Sequence, residues 1–423
     1  MNRHITNHEQ NMRVVDQITT TVTGMGIAHL VIEDERINGR TIKVRGNDVL
    51  NFGNCSYLGL ETDPRLKAAA IEATDKYGVM ILSSRAFSSI HLYPEVEHLL
   101  SKMTGGHALV STSITLGHIA NLPVLVGDND AVIIDIQAHN CLQTTVELLR
   151  QRKIPIEKIR HNRMDILEDK IKELQDQHDK IWYLADGVYS MYGDYVPAND
   201  LKELLDRYDQ LNLYIDDAHG TSWVGPNGSG YINSKLYKHP RLIYTLSLGK
   251  AFGCTGGVTV FPTEAQKSFV RHCGTTHIFC GPLPNAILGA GIASAKIHLS
   301  PEITERQEKL QDRIKLFNQL ADAYEIPLVS PNNSPIFFVG VGKPSVGFDM
   351  VHRLMNKGIY VNLSVFPSVS YNRTGLRMPL TLHNTPEDIE YAIKTIAEEL
   401  PQALIQQHST MKSIHTAFKM PAA

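Results

Sequence analysis

Residues 213–220 read LYIDDAHG, a short apolar run that ends directly in two acidic residues, followed by a histidine and a glycine. Similar apolar runs occur on both sides of it, most of them separated by stretches of helical character, at residues 108–110, 132–134, 181–184, 242–245 and 257–261. Short buried strands that alternate with helices are typical of a mostly parallel sheet with helices on both faces. The sequence therefore predicts an α/β fold.

The pattern changes after about residue 300, where a charged helical stretch precedes two more strands and a last helix. This mixture predicts a smaller α+β domain at the C-terminal end of the chain. We expect four segments: an N-terminal arm and β-hairpin at 1–60, a large domain at 61–297, the α+β domain at 298–402 and a tail at 403–423.

The composition excludes several classes of function. The 423 residues carry 41 Lys+Arg against 44 Asp+Glu, so the chain lacks the basic excess of a nucleic-acid binder. Five widely spaced cysteines with no CxxC pair favour reduced thiols in a cytoplasmic protein without a metal site. Residues 275–295 carry no Asp, Glu, Lys or Arg but contain Pro282, Pro284 and Asn285, which favours buried core over membrane insertion.

Polar residues follow several of the predicted strands. Asp216 and His219 follow the strand at 213–215, and Lys250 follows the strand at 242–245 within the glycine-containing segment SLGKAFG. Asp186 and His139 follow two other strands. Because ligands bind outside the carboxyl ends of the strands in an α/β sheet, we expect these side chains to share one site. A lysine at a strand end, within a glycine-containing segment, can serve as an amine nucleophile.

Four stretches give the chain a resemblance to a known family. DDAHGTSWVGPNGSG at 216–230, followed by SLGKAFG at 247–253, resembles the cofactor segment of the α-oxoamine synthases. NFGNCSYLGL at 51–60, SMYGDYVPANDLKELLDRY at 190–208 and FPSVSYNRTGLRMPLTLHNTPEDIE at 366–390 are similar to further motifs of that family, in the same order. These enzymes have the fold type I of pyridoxal 5'-phosphate (PLP) enzymes. They condense an amino acid with an acyl thioester and release CO2.

The resemblance implies roles for the residues at the strand ends. Lys250 would form the Schiff base with PLP and later move the Cα proton. Asp216 would pair with the ring nitrogen, His219 would hydrogen-bond the phenolate oxygen, and His139 would stack on the ring. Asp186 would lie near the ring substituents.

Further residues receive roles in the same way. Gly117 and His118 would cradle the phosphate, helped by Ser247, and Ser190 would support the ring or the substrate. The residues implied on the substrate side are Arg377, which would clamp the amino-acid carboxylate, together with Asn54 and Tyr57. A homodimer with its active site near the subunit interface is expected.

Three departures from the family pattern concern the surroundings of the cofactor. Cys55 and Leu116 replace residues of the motifs, and Cys280-Gly281 stands where the neighbouring subunit's hydroxyl is usual. The amino acid and the acyl chain remain open. A PLP aminotransferase or lyase on the same scaffold is the alternative function, and a non-catalytic partner subunit is disfavoured by the presence of Lys250.

Overall fold

The computed structural model describes residues 7–81, 83–331 and 333–420. The strands are β1 Thr41–Val44, β2 Asn47–Phe52, β3 His107–Ser111, β4 Ala131–Asp135, β5 Ile156–Ile159, β6 Ile181–Asp186, β7 Leu211–Asp216, β8 Leu242–Ser247, β9 Gly257–Phe261, β10 Ile336–Gly342, β11 Ile359–Ser364 and β12 Thr374–Pro379. The helices are α1 Asn7–Gly24, α2 Pro64–Tyr77, α3 Leu92–Thr104, α4 Ile114–Leu125, α5 Asn140–Arg150, α6 Met164–Leu174, α7 Ala198–Arg207, α8 Tyr231–Lys235, α9 Glu264–Cys273, α10 Thr275–Phe279, α11 Asn285–His298, α12 Glu302–Ala323, α13 Pro344–Asn356, α14 Pro386–Gln406 and α15 Met411–Phe418.

The chain divides into two compact units. The large unit consists of Ser56–Ser190 and Asp194–Lys309, and the small unit consists of Met1–Cys55, Met191–Gly193 and Leu310–Ala423. The sequence-based division sets residues 1–60 apart, whereas the structure groups the described residues up to Cys55 with the C-terminal part of the chain.

The large unit contains a seven-stranded sheet with the order β3-β9-β8-β7-β6-β4-β5. Strands β5, β4, β6, β7 and β8 pair in parallel. Strand β9 is antiparallel to both of its neighbours, β3 and β8. The mostly parallel sheet predicted from the alternating pattern is present, with this one reversal at its β3 side.

Side chains on the central strands alternate between two apolar clusters. Ile133 and Tyr183 belong to one cluster, whereas Val132, Ile134 and Trp182 belong to the other. Because successive side chains of a strand point to opposite faces, the two clusters cover the two faces of the sheet. A sheet buried on both sides explains why its strands read as nearly continuous apolar runs.

Local sequence signals set several helix ends in the large unit. Helix α2 begins at Pro64 after the cap residue Asp63, whose side chain accepts from the Arg65 N–H. Helix α3 ends at Thr104, and its cap residue Gly105 has the left-handed φ of 74° that glycine adopts without strain. Residues 275–295 form α10 and much of the largely buried α11, with Pro282 and Pro284 between them. Among the described residues, no helix combines the length and the apolar character that crossing a bilayer requires.

The small unit contains a five-stranded sheet with the order β1-β2-β11-β12-β10. The β-hairpin expected within residues 1–60 is the antiparallel β1–β2 pair, and its turn lies at Arg45 and Gly46. Strand β2 also pairs in parallel with β11, which brings the first part of the chain into this unit. The segment expected to be a tail differs from the prediction, because α14 continues to Gln406 and α15 follows with a capping box at Thr410.

Candidate active site

A cavity of about 230 Å³ opens at the carboxyl ends of the parallel strands in the large unit. Six residues singled out from the sequence line it: His139, Asp186, Asp216, His219, Ser247 and Lys250. The other lining residues are Ser113, Ile114, Thr115, Cys141, Val188, Ala218, Gly249, Thr255 and Gly256. The structure thus brings together in one pocket the side chains that follow β4, β6, β7 and β8.

Lys250 lies in the turn after β8, and backbone hydrogen bonds fix that turn. The Leu248 N–H donates to Gly256 O at 3.1 Å, and the Cys254 N–H donates to Leu248 O at 2.8 Å. Ser247 Oγ accepts from the Gly249 N–H at 3.1 Å. The lysine is therefore presented by a folded segment of the sheet edge rather than by a long loop.

Two adjacent carboxyl groups after β7 have opposite environments. Burial alone would raise the pKa of Asp216, but the hydrogen bond from His118 and the nearby Lys250 amine hold it below its ordinary value. Burial raises the pKa of Asp217 well above its ordinary value. Asp217 also fills a space beside Gly220, where a Cβ atom would lie 2.2 Å from Asp217 Oδ1. The surroundings of Asp216 thus favour its charged form, whereas burial favours the neutral form of Asp217.

Asp186 and His139 lie beside Asp216. Asp186 pairs with Asp216 in the register of β6 and β7, and burial together with the Asp216 charge raises its pKa well above the ordinary value. The backbone N–H of His139 donates to Asp186 Oδ1 at 2.9 Å. Burial lowers the pKa of His139, which therefore presents a neutral ring to the cavity. Such a ring is suited to stacking on a flat cofactor.

The turn that leads to His139 is held by an ion-paired histidine. Asp135 Oδ1, at the end of β4, accepts from the Gln137 N–H at 2.7 Å and lies 3.1 Å from His161 Nδ1. His161 Nε2 lies 2.6 Å from Asp194 Oδ2. Although burial opposes it, the hydrogen bonds and charges of the two carboxylates raise the pKa of His161 to about 9.

We expect His161 to make the folded protein less stable as the pH rises. A folded-state pKa of about 9 lies above the ordinary value of 6.5, so the stabilisation that His161 provides is fully present below pH 6.5 and is lost as the pH rises through 9. The shift corresponds to about 3 kcal/mol. His161→Asn should abolish that pH-dependent part of the free energy of unfolding, measured by denaturant melts from pH 6 to 10. His107→Asn, in an exposed pair with Glu264, is the control, and an unchanged pH profile in His161→Asn would contradict the assignment.

The start of helix α4 faces the cavity. Ser113 caps the helix by accepting from the Leu116 N–H, and Ser113, Ile114 and Thr115 line the cavity. The Gly117 N–H already donates to Ser113 O at 3.0 Å. Since only the first N–H groups of a helix lack intrahelical partners, residues 113–115 are the ones that can cradle an anion.

This geometry corrects the predicted phosphate cradle. Gly117 and His118 are buried within α4, and His118 contacts Asp216 instead of the cavity opening. The sequence did contain the relevant signal, because a serine directly before a helical stretch is a typical N-cap.

His118 N, Cys141 S and Asp216 O atoms lie within 4.8 Å of one another, and mutual hydrogen bonding accounts for this closeness without a metal ion.

The remaining predicted residues lie outside the cavity lining. Tyr57 O–H is hydrogen-bonded to His219 Nδ1 at 2.7 Å, within the large unit. Ser190 is half-buried in the turn after β6. Arg377 and Asn54 belong to the small unit, where both terminal nitrogens of Arg377 on β12 lie 3.6 Å from the sulfur of Cys55, the residue after Asn54.

The parallel sheet and the lysine-bearing cavity define the class of PLP enzymes of fold type I. The chain matches the family described as aminotransferase class I and II over residues 47–396 and belongs to that family. It is 29% identical over 369 residues to the 8-amino-7-oxononanoate synthase of Alkaliphilus metalliredigens, a match that covers 86% of this chain and 91% of the relative.

Solved structures agree with this assignment of the fold. A variant of the serine palmitoyltransferase from S. paucimobilis, solved with PLP and myriocin, matches with a TM-score of 0.85, 22% identity and coverage of 93% of this chain and 98% of the other. The 8-amino-7-oxononanoate synthase of Francisella tularensis matches with a TM-score of 0.69, 25% identity and coverage of 84% and 98%. The predicted fold and the resemblance to α-oxoamine synthases are confirmed.

The cavity of the large unit has the chemistry that PLP requires. The Lys250 amine is the kind of group that an aldehyde requires, and the buried Asp216 carboxylate is the kind of partner that a protonated ring nitrogen requires. The N–H groups at the start of α4 supply the positive end of a helix for the phosphate. Each reactive part of PLP thus has a counterpart among the lining residues.

Gly257→Ala should weaken PLP binding by about tenfold or more, because a Cβ atom there would lie 2.5 Å from Ile114 N and 2.7 Å from Ile114 Cα. Both of these are backbone atoms, so the start of α4 must move. The dissociation constant is measured by titrating the apoprotein with PLP. Gly291→Ala is the matched control, since its nearest neighbour would be a Val96 methyl at 3.5 Å. Equal affinity in the two variants would show that the position of the helix start does not matter.

Proposed function

We propose that this chain is a PLP-dependent acyltransferase that condenses an amino acid with an acyl thioester, releases CO2 and forms an α-aminoketone. The single observation that carries the proposal is the cavity in which Lys250 is grouped with the ionised Asp216 and the neutral His139. The names of the relatives, 8-amino-7-oxononanoate synthase and serine palmitoyltransferase, support this reaction class.

PLP, when bound, supplies an electron sink that stabilises negative charge at the substrate Cα. Lys250 would hold the aldehyde through its amine, and the same amine would take the Cα proton of the bound amino acid. Asp216 would keep a proton on the ring nitrogen, and His139 would limit the movement of the ring by stacking. The N–H groups of residues 113–115 would hold the phosphate. With these roles filled, Cα would be the nucleophilic atom toward the thioester carbonyl.

Arg377 is proposed to bind the carboxylate of the amino acid, because a guanidinium can form two parallel hydrogen bonds with it. Arg377→Lys should raise the KM for the amino acid by about tenfold while changing the KM for the acyl thioester little. Steady-state kinetics with each substrate varied in turn measures both constants. Arg373→Lys is the control, since Arg373 donates to Ala417 O within the same unit. Equal effects on both KM values would argue against carboxylate binding.

A homodimer with the active site near the subunit interface is also proposed, on the strength of the family resemblance. Sedimentation of the holoenzyme measures the oligomeric state. A monomer at the concentrations used in the activity assay would contradict this part of the proposal.

The direct test of the reaction is a thiol-release screen of amino acids against acyl-CoA substrates of different chain length, with mass spectrometry of the products. Release of CoA and CO2 together with an α-aminoketone is expected for at least one pair. Conversion of bound PLP to pyridoxamine phosphate by an amino donor, without CoA release, would instead identify an aminotransferase. A holoenzyme that does neither would contradict the acyltransferase assignment.

A further inference from the structure

Buried polar side chains form a continuous hydrogen-bonded series behind Asp216 in the large unit. His118 Nε2 lies 3.0 Å from Asp216 Oδ2, and His118 Nδ1 lies 2.9 Å from the Tyr214 hydroxyl. Asn121 Nδ2 donates to that hydroxyl at 3.2 Å, and Asn121 Oδ1 lies 3.1 Å from His277 Nε2. We call the four residues His277, Asn121, Tyr214 and His118 the buried relay.

The buried relay is closed to solvent, so its hydrogen bonds are not replaced by water. His118, Asn121 and Tyr214 are fully buried, and His277 is 8% exposed. Burial lowers the pKa of His277 to about 4, which keeps that ring neutral. Because an unpaired polar group in such surroundings costs free energy, every donor must point at an acceptor.

An arrangement of protons with a neutral His118 ring satisfies the whole series. The ionised Asp216 can only accept, so His118 carries its proton on Nε2, and Nδ1 accepts from the Tyr214 O–H. The Tyr214 oxygen in turn accepts from one Nδ2–H of Asn121, whose other Nδ2–H donates to Thr259 Oγ1 at 2.7 Å, and Asn121 Oδ1 accepts from the His277 Nε2–H. The donors within the series then point toward the carboxylate, and hydrogen bonds aligned in this way strengthen one another.

We propose that His118 is a positioning residue that keeps the Asp216 carboxylate ionised and fixes its orientation toward the ring nitrogen of the cofactor. The proposal rests on the proposed PLP chemistry only in naming the ring nitrogen as the partner of Asp216. The family resemblance placed His118 at the phosphate, whereas the contacts on its two ring nitrogens give it this different role.

Other groups near Asp216 do less to keep it charged. The Ala218 N–H donates to Asp216 Oδ1 at 3.1 Å, and Cys141 Sγ lies 3.6 Å from Oδ2 as a weak donor. From the cavity side Lys250 favours the charged form of Asp216, whereas His139 and Asp186 are titratable neighbours whose own pKa values are shifted toward the neutral form. Lys250 would be bound to the cofactor aldehyde in the holoenzyme. Among the side-chain nitrogens near Asp216, that of His118 therefore provides the hydrogen bond that does not depend on the state of the cofactor.

The position of His118 also links two parts of the site. It lies on α4, whose first residues, 113–115, face the cavity and are the proposed phosphate cradle. One helix would therefore support both ends of the cofactor, since its first N–H groups would hold the phosphate and His118 orients the Asp216 carboxylate meant for the ring nitrogen. A displacement of α4 would change both contacts together.

The first experiment uses the apoprotein and needs no activity. Asp216 is observed through its side-chain ¹³C carboxyl resonance, which Asp216→Asn identifies by its disappearance. In the native chain the resonance should stay at its ionised position from pH 5 to 8. His118→Phe removes the hydrogen-bond donor to Asp216. Because burial then dominates the pKa of Asp216 and raises it, the Asp216 resonance should titrate within about pH 5 to 8. His118→Gln, whose amide N–H can replace Nε2–H, should restore the ionised position.

Two further variants separate positioning from folding. His298→Gln changes an equally buried histidine of the same unit, one that bonds Ser294 O, and should leave the Asp216 resonance unchanged. Tyr214→Phe keeps the His118 donor but removes the hydroxyl that bonds its other ring nitrogen. We therefore expect a smaller change in the titration of the Asp216 resonance than in His118→Phe. If Asp216 stays ionised in His118→Phe, or if His298→Gln moves its resonance equally, the proposal is overturned.

The second experiment uses the holoenzyme reconstituted with PLP labelled with ¹⁵N in the ring. The ring-nitrogen shift should indicate protonation in the native chain and in His118→Gln. In His118→Phe the pKa of the PLP ring nitrogen should be lower than in the native chain by about one unit or more, which is a tenfold change in its protonation equilibrium. An unchanged ring-nitrogen titration in His118→Phe would contradict the role. Absence of CoA release with these shifts as expected would overturn the proposed reaction while supporting the role of His118.

Discussion

Lys250→Ala is expected to lower kcat by about 10³- to 10⁴-fold, because one side chain both holds the cofactor aldehyde and moves the Cα proton. PLP should still bind, since the start of α4 and Asp216 remain in place. It should no longer be trapped on the chain by borohydride. Mass spectrometry of the reduced protein measures this directly, as a mass increase on the peptide that contains Lys250 in the native chain only.

Lys296→Ala is the matched control for this variant. Lys296 is exposed and pairs with Glu95 at 3.7 Å, so its loss should change neither activity nor trapping. Partial recovery of Lys250→Ala by a small added amine would show that proton transfer is the missing function. Trapping of PLP on a different lysine of the native chain would contradict the assignment.

Asp216→Asn should lower kcat by about a hundredfold or more, because an amide carries no charge to hold a proton on the ring nitrogen. The loss should fall mainly on kcat, since the aldehyde and the phosphate keep their partners. The ring-nitrogen shift of bound PLP measures the cause directly, and it should indicate a neutral nitrogen in this variant at neutral pH.

Asp217→Asn offers an unusually close control, because it makes the same chemical change one residue along the chain. Asp217 is held neutral by burial, and its Oδ2 accepts from the Ile232 N–H at 2.9 Å, a bond that an amide oxygen can also accept. Activity should therefore fall by less than about tenfold, at the scale of a single neutral hydrogen bond. Equal losses in the two variants would show that the charge on Asp216 is not what matters.

The edge of the large sheet was predictable from the sequence because its central strands are buried on both faces. A run such as 213–215 has no charged side chain, so its end at Asp216 marks the sheet edge directly. Strand β5, with the sequence IEKI, escaped prediction because it is an edge strand with partly exposed, charged side chains. Strand β12 escaped because glycine and arginine interrupt its apolar residues.

The interior of the site was less predictable. The motif located the turn before α4 but not the first residue of the helix, which depends on the Ser113 cap. The role of His118 depends on its hydrogen bond with Tyr214, which lies 96 positions away in the chain. A local sequence pattern cannot predict a contact between residues that far apart. Short-range signals define strands and caps, whereas the pairing of buried polar groups arises only when distant segments meet.

The parallel pairing of β2 with β11 has a consequence for how the chain is made. Leu50 on β2 and Ile359 on β11 are partners, so about 300 residues must be synthesised between β2 and this neighbouring strand. The large unit can begin to fold on the ribosome while the β1–β2 hairpin still has an open edge, a surface prone to wrong pairing. Chains interrupted before β11 should therefore be captured by chaperones or degraded, although their lysine segment is already complete.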